Sequence, residues 1–265
     1  MAASLRTRSR WRIVSLAPSV TSILVELGAR RDLVAVTRWC REVADVRGLP
    51  VFGDCWATDT AGLARLRPTL IIGSVPYQAE TLTKLLEYPA PFVATNPRTL
   101  ADIFSEIHML GALIGRPTAA MRLASRMQRE FDRVGRAARR AANRPRVYAE
   151  AWPHPRISSP PWVAELVALA GGMMVVTPGR KVSDTEVRRA RPEVIVLAWA
   201  AAGNRSRPGS ALKNPAWGSV PAVRTGRVFV VPDYLLNTPG PPLAGGLQVL
   251  LHLLHPELRT RHTRR

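Results

Sequence analysis

Short apolar runs alternate with segments of helical spacing along most of the chain. Residues 12–16 form an apolar run that ends at Ala17-Pro18-Ser19, and residues 20–27 then carry apolar side chains at helical spacing before Gly28. A short apolar run predicts a buried strand, and the spacing after it predicts a helix that covers the sheet. Because this succession recurs, the sequence predicts an α/β fold with mostly parallel sheets covered on both faces.

The predicted elements are spread over the whole chain. Strands are predicted at residues 12–16, 33–37, 69–73, 92–94, 146–150, 173–176, 194–197 and 228–231. Helices are predicted at residues 20–27, 61–66, 80–87, 100–114, 162–170, 184–190 and 243–254.

A longer helical segment separates the two halves of this pattern. Residues 117–142 have no internal proline, have glycine only at position 135, and are otherwise rich in strong helix formers. At 1.5 Å per residue, one helix here would span roughly 35 to 40 Å. The sequence therefore predicts an N-terminal α/β lobe at residues 1–116, a connecting helix at 117–143 and a C-terminal α/β lobe at 144–265.

The second half of the chain repeats the first in outline. A short helical segment, an Arg-Pro pair and an apolar strand occur in LARLRPTLII at residues 63–72 and again in VRRARPEVIVL at residues 187–197. We interpret these two segments as equivalent units of two related lobes.

An ordered set of segments resembles the class III substrate-binding proteins. The matching pieces are RIVSLAPSVTSILVELGA, GLARLRPTLIIGS, ELVALAGG, VSDTEVRRARPEVIVL and VFVVPD. The resemblance implies two Rossmann-like lobes joined by a single long helix, with a ligand cleft between the lobes. It also implies cobalamin, haem or a ferric siderophore as the bound ligand. The pieces EAWPHP and GSVPYQAE are most similar to the cobalamin-binding branch, so we expect a corrinoid, held as ligand rather than as a catalytic cofactor.

Aromatic and turn residues near the predicted carboxyl ends of strands are the candidate ligand contacts. In the family that the chain resembles, loops at these ends hold the ligand, and aromatic rings pack on its flat or apolar parts. The candidates are Pro18, Ser19, Trp39, Trp56, Tyr77, Trp152, His154, Trp162, Tyr234 and Asn237.

Each candidate also has an ordinary structural interpretation. A loop tryptophan can cover the local core, and Asn237 before Pro239-Gly240 suits a turn. Pro18-Ser19 can end a strand and cap a helix. His154 can be a solvent-exposed loop residue, although a neutral imidazole there could ligate cobalt or haem iron.

The motifs of common enzymes and metal sites are missing from the sequence. There is no Walker loop, G-x-S-x-G elbow, G-x-G-x-x-G turn or H-E-x-x-H pair, so we expect no catalysis. The histidines are scattered, and no set of His, Asp and Glu predicts a dedicated metal site. The two cysteines, Cys40 and Cys55, do not make a disulfide framework.

The charge is strongly basic, with 38 basic and 19 acidic residues and a net charge of +19. Such a surface can bind polyanions through counterion release, so a nucleic-acid or membrane-surface accessory protein is an alternative function. No basic stripe interleaved with aromatics and no zinc-finger spacing adds nucleic-acid specificity, so no specific nucleic acid is expected. For a ferric siderophore, arginines in predicted loops could pair with its oxygens; these are Arg38, Arg41, Arg156 and Arg180.

Two features bear on transport and location. The resemblance implies a docking glutamate on each lobe for an ABC permease, but the corresponding positions hold Ala61 and Thr185, with Glu186 next to the latter. The basic start is not followed by a long apolar run, which predicts no cleavable signal. We therefore expect a monomeric cytoplasmic relative without a permease partner, or a periplasmic or membrane-associated transport component if translation starts elsewhere.

Overall fold

The computed structural model describes residues 11–52, 60–74, 79–200 and 208–258. Trp56 and Tyr77, two of the candidate ligand contacts, and Cys55 lie outside these ranges. The chain divides into two compact units. The first consists of Met1–Pro97 with Phe104–Leu123, and the second of Arg98–Ile103 with Ala124–Arg265.

The first unit is built on a five-stranded sheet in the order β3-β2-β1-β4-β5, in which every neighbouring pair is parallel. Its strands are β1 (Ile13–Ser15), β2 (Leu33–Thr37), β3 (Val51–Phe52), β4 (Leu70–Ser74) and β5 (Phe92–Thr95). The helices are α1 (Pro18–Glu26), α2 (Thr60–Leu66), α3 (Ala79–Glu87) and α4 (Leu100–Leu113), the last beginning in residues of the second unit. The strand order reverses between β1 and β4, and open α/β sheets bind ligands at such a switch point.

The second unit has a sheet in the order β10-β9-β6-β7, with β8 pairing to the start of β6. The strands are β6 (Arg146–Pro153), β7 (Arg156–Ser158), β8 (Met173–Met174), β9 (Val194–Leu197) and β10 (Val228–Val230). The helices are α6 (Pro161–Leu169), α7 (Asp184–Ala190), α8 (Gly209–Leu212), α9 (Pro221–Arg224), α10 (Tyr234–Asn237) and α11 (Leu243–Leu254). The central strand β9 is buried at every position because helices cover both faces of a parallel sheet.

Helix α5 (Pro117–Ala138) is the long helix predicted from the sequence. Its buried face carries Leu123, Met127, Phe131 and Val134 at helical spacing. The predicted end at residue 142 was wrong. Bonds from the amides of Arg140 and Ala141 to carbonyls three residues earlier tighten the chain into turns after the helix ends.

The α/β class with mostly parallel strands is confirmed, and the departures from the predicted elements are short. Strand β7 was missed because it runs antiparallel to β6 across a tight turn, where three residues carry little periodicity. The segments α8, α9 and α10 are single turns, too short for a helical pattern. Within the described ranges, no helix combines the length and the apolarity needed to cross a bilayer.

Candidate functional site

Trp152 presents an exposed aromatic surface near the carboxyl end of β6. The residue is 41% exposed, and its indole Nε1–H donates a hydrogen bond to the carbonyl oxygen of His154 at 2.9 Å. Trp152 also pairs with Ile157 across the β6–β7 hairpin, and the His154 side chain is exposed in the turn. The hairpin and the indole hydrogen bond together hold one orientation of this ring.

A buried carboxylate lies two residues before this tryptophan. Glu150 is fully buried, and its Oε2 accepts hydrogen bonds from the Tyr148 hydroxyl at 2.7 Å and from Arg156 Nη1 at 2.8 Å. Its Oε1 accepts a hydrogen bond from Trp199 Nε1 at 2.9 Å. Three donors from β6, β7 and the segment after β9 therefore satisfy one buried charge, which joins these segments beneath the exposed ring.

Arg156 connects this carboxylate to the beginning of α7. Its Nε lies 3.2 Å from Asp184 Oδ1, and its guanidinium carbon lies 4.4 Å from the centroid of the buried Trp217 ring. Burial acts to lower the pKa of Arg156, but Glu150 and Asp184 outweigh it and the pKa is raised. Burial, with the neighbouring Glu150 charge, raises the pKa of Tyr148. The arginine is therefore cationic and the tyrosine a neutral hydrogen-bond donor.

A second group of candidates meets at the end of β9. The Trp162 indole Nε1 donates to the Leu236 carbonyl at 2.9 Å, and Asn237 Nδ2 donates to the Ala198 carbonyl at 2.5 Å. Asn237 Oδ1 is buried and accepts no hydrogen bond from the described residues. The half-buried Tyr234 begins the same short helix, α10. The structure therefore brings Trp162, Tyr234 and Asn237 to one edge of the second sheet.

In the first unit, Pro18 and Ser19 open helix α1 directly after β1. Ser19 does not cap this helix, because the N-cap is Ala17 and no side chain caps it, so the alternative interpretation of Ser19 as a cap does not hold. Ser19 is almost fully buried. Pro18 occupies the first helical position, where its missing N–H costs nothing.

Trp39 is half-buried in a short 3₁₀ helix, Arg38–Glu42, that follows β2. The next residue, Cys40, is buried, and its Sγ lies 3.0 Å from Thr21 Oγ1 and 3.2 Å from Thr37 Oγ1. Burial raises the pKa of the Cys40 thiol. Cys40 is bonded to no other cysteine among the described residues.

Two of the four arginines proposed for siderophore oxygens are already engaged by carboxylates. Arg156 binds Glu150 and Asp184, and Arg180 Nη2 lies 2.5 Å from Glu186 Oε1. Their positive charge is therefore neutralised locally. In the described part of the chain, no group of three or more His, Cys, Asp or Glu side chains could hold a metal ion.

The position implied for docking on the second lobe, Thr185, is exposed in the first turn of α7. Its neighbour Glu186 forms a capping box with Ser183, and it also binds Arg180. The Ser183 amide, followed by the Arg180 guanidinium, lowers the pKa of Glu186 to about 2. The Ala61 side chain lies outside the described part of the structure.

Sequence reasoning missed the buried hydrogen-bonded group beneath Trp152. Glu150 was not a candidate, and neither was Trp199, which donates a hydrogen bond to it. One signal was present in the sequence, because RVYAEAW places an acidic residue inside an otherwise apolar strand. A carboxylate buried in a strand requires hydrogen-bonded or charged partners.

Aromatic side chains lie where the parallel strands of this α/β fold end. This arrangement defines a protein of the ligand-binding class. The chain belongs to the periplasmic binding protein family, whose model matches residues 13–235. This family consists of binding proteins and not of enzymes.

Three known proteins illustrate the similarity. The vitamin B12-binding protein of Pectobacterium carotovorum is 24% identical over 194 residues, which cover 70% of this chain and 70% of that protein. The structure of the periplasmic heme-binding protein RhuT from Roseiflexus sp. RS-1 matches with a TM-score of 0.80 at 25% identity, covering 94% of this chain and 99% of that one. The periplasmic vitamin B12-binding protein BtuF of Vibrio cholerae matches in fold, with a TM-score of 0.74 at 20% identity over 94% and 99% of the two chains.

Proposed function

We propose that this protein binds a corrinoid, with cobalamin as the first candidate, against the aromatic edge formed by Trp152, Trp162 and Tyr234. The observation that carries the proposal is the Trp152 indole, which is 41% exposed and held by its hydrogen bond to the His154 carbonyl. An exposed, oriented ring suits contact with the apolar surface of a large cofactor. Because the ring is held before the ligand arrives, little entropy is lost on binding.

Cobalamin is the first candidate because the curated relatives include two vitamin B12-binding proteins, each aligned with about 70% of this chain. Haem is the second candidate, and the RhuT structure matches nearly the whole chain. The His154 imidazole is exposed and can approach a metal at the centre of a macrocycle. It therefore favours cobalamin or haem over a siderophore. A ferric siderophore is the third, and the engagement of Arg156 and Arg180 by carboxylates counts against it.

In this proposal, Glu150 and Arg156 position the hairpin and do not touch the ligand. Both side chains are turned into the protein, with 0% and 17% of their surfaces exposed. Their pairing connects β6 to β7 on either side of the turn that carries His154. Loss of the pair would therefore loosen the Trp152 ring without removing any ligand contact.

The destination of the bound ligand is a separate part of the proposal. Glu186 cannot readily replace a docking glutamate at position 185, since its carboxylate is held by Ser183 and Arg180. We infer that the protein retains its ligand without glutamate-mediated docking on a permease, as a cytoplasmic relative would, whereas a periplasmic location would point to a transport component. Immunodetection in cell fractions tests the location, and a purely periplasmic protein would contradict it.

A titration of tryptophan fluorescence tests the ligand. Purified protein is titrated with cyanocobalamin, haem and a ferric siderophore, with correction for ligand absorption, and calorimetry checks the affinities. We expect saturable cobalamin binding that weakens about tenfold in Trp152→Ala, the loss typical of a central aromatic contact. Trp39→Ala tests the first unit in the same way.

Trp11→Phe is the matched control, since Trp11 belongs to the first unit and precedes the start of β1. Its affinity should equal that of the wild type. Tight haem binding with no cobalamin binding would replace the first candidate by the second. No binding of any of the three ligands would overturn the proposed function.

A further inference from the structure

Helix α5 and the turn after it expose a continuous row of arginines. Successive arginines are separated alternately by four and three residues, which places them on the side of the helix opposite its buried apolar face. From the first to the fifth, the helix rises roughly 21 Å. We name this row the α5 arginine face, and it consists of Arg122, Arg126, Arg129, Arg133, Arg136 and Arg140.

Few carboxylates balance this charge within the same segment. Residues 122–140 contain seven arginines but only Glu130 and Asp132 as acids. Glu130 is shared between Arg133 and Gln248, and Asp132 accepts a hydrogen bond from Gln128. Like charges three and four residues apart repel one another and destabilise a helix. An anionic partner would relieve this repulsion.

A cavity of about 310 Å³ lies within the second unit beside the last turn of α5, on the flank that carries Gly135 and Ala138, and none of the six arginines of the face lines it. Its polar lining comes from Arg139, Asn143 and Arg144, and its apolar lining includes Ala168 and Leu169. Guanidinium groups bind phosphate oxygens well, and small apolar side chains suit hydrocarbon. This combination matches the interfacial part of a phospholipid, in which a phosphate adjoins an apolar glycerol ester.

We propose that the α5 arginine face binds the surface of an anionic phospholipid bilayer, with one lipid headgroup in the adjoining cavity. The helix would lie parallel to the membrane, so that every arginine of the row reaches the headgroup layer. A bilayer fits better than a single-stranded nucleic acid, because the one aromatic residue of α5, Phe131, is buried and unavailable for base stacking. The attachment is peripheral, and it does not depend on which ligand the protein carries.

Vesicle flotation with the full-length protein tests the proposal. The vesicles are pure phosphatidylcholine, or phosphatidylcholine with about 30% phosphatidylglycerol, in about 0.1 M salt. We expect binding only to the anionic vesicles. The triple variant Arg129→Gln, Arg136→Gln, Arg140→Gln should bind about tenfold more weakly, or worse, because each arginine contributes separately near an anionic surface.

A matched variant removes three exposed arginines elsewhere in the second unit, namely Arg188→Gln, Arg189→Gln and Arg224→Gln. It should bind like the wild type, and thermal melts should show that both triple variants are folded. Arg139→Gln with Arg144→Gln tests the cavity and should also weaken binding to anionic vesicles.

Several results would overturn the proposal. Equal weakening in the two triple variants would show a diffuse charge effect, and no flotation of the wild type would show no lipid affinity. Lipid binding that survives in the first variant but disappears when residues 1–10 and 259–265 are removed would place the contact on the termini. Loss of duplex DNA binding in that variant, with vesicle binding unchanged, would assign the row to nucleic acid.

Discussion

Arg156 Nη1 donates a hydrogen bond to Glu150 Oε2 at 2.8 Å, and the carboxylate is fully buried while the guanidinium is mostly so. The two residues lie on opposite strands of the hairpin that carries Trp152 and His154. A buried ion pair is costly to desolvate, but removal of one partner leaves the other charge unpaired. The pair therefore adds a charged link between side chains to the backbone pairing of the two strands.

We predict that Glu150→Gln lowers the free energy of unfolding by about 3 kcal/mol, because Arg156 loses its buried counter-charge and keeps only the partly exposed Asp184. The amide oxygen can replace only one of the two carboxylate oxygens, so the amide nitrogen faces either Trp199 Nε1–H or the Arg156 guanidinium and the loss includes a hydrogen bond as well as the charge. Urea denaturation followed by circular dichroism measures it.

The double variant Glu150→Gln, Arg156→Met is the control for this prediction. It removes both charges, so its loss of unfolding free energy should be smaller than the summed losses of Glu150→Gln and Arg156→Met. If the losses of the two single variants simply add, the two side chains do not interact energetically.

Gly171 should tolerate no side chain. Its φ is +82°, and an added Cβ would lie 2.8 Å from Nε2 of the buried His255. Gly226 has a similar φ of +68° but no atom within 4 Å of the Cβ position. We predict that Gly171→Ala costs about 1–3 kcal/mol more than Gly226→Ala in unfolding free energy, the usual cost of overpacking. Chemical denaturation measures both, and equal losses would show that only the backbone strain matters.

Glu186 should make α7 sensitive to acid. Its pKa in the folded protein is about 2, below its ordinary value of 4.5, so it binds protons more weakly folded than unfolded. Its stabilising contribution is therefore present above pH 4.5 and is lost as the pH falls from about 4.5 towards 2. The carboxylate is solvent-exposed, so the effect on the melting temperature should be small.

The melting temperature of Glu186→Gln should lie below that of the wild type at pH 7, and the difference should shrink towards pH 3. Glu87→Gln, at an exposed position in α3, is the control for the loss of one surface carboxylate. A constant difference at all pH values would mean that the capping hydrogen bonds, and not the charge, stabilise the helix.

Cys40 should be chemically inert in the folded protein. The side chain is fully buried, and burial raises the pKa of its thiol, so little reactive thiolate forms. In a Cys55→Ser background, we expect a disulfide reagent to label the native protein at least about a hundredfold more slowly than the unfolded chain. Rapid labelling of the native protein would contradict the burial of Cys40.

The sequence by itself determined where the main strands and helices lie. The runs at residues 70–74 and 194–197 are apolar at nearly every position, and such local patterns specify a buried strand whatever its neighbours are. The amphipathic spacing of α5 is equally local. The end of that helix was less predictable, because turn formation after Ala138 depends on a few weak hydrogen bonds.

Only the tertiary structure decided which side chains meet. Trp199 reaches Glu150 from 49 positions along the chain, and Trp162 reaches the carbonyl of Leu236 from 74 positions away. The sequence places Glu150 inside an apolar strand near the candidate Trp152, but it does not indicate that Tyr148, Arg156 and Trp199 bind this carboxylate. A local pattern records whether a residue faces the core, whereas its partner there depends on strand order and helix packing, which join distant segments.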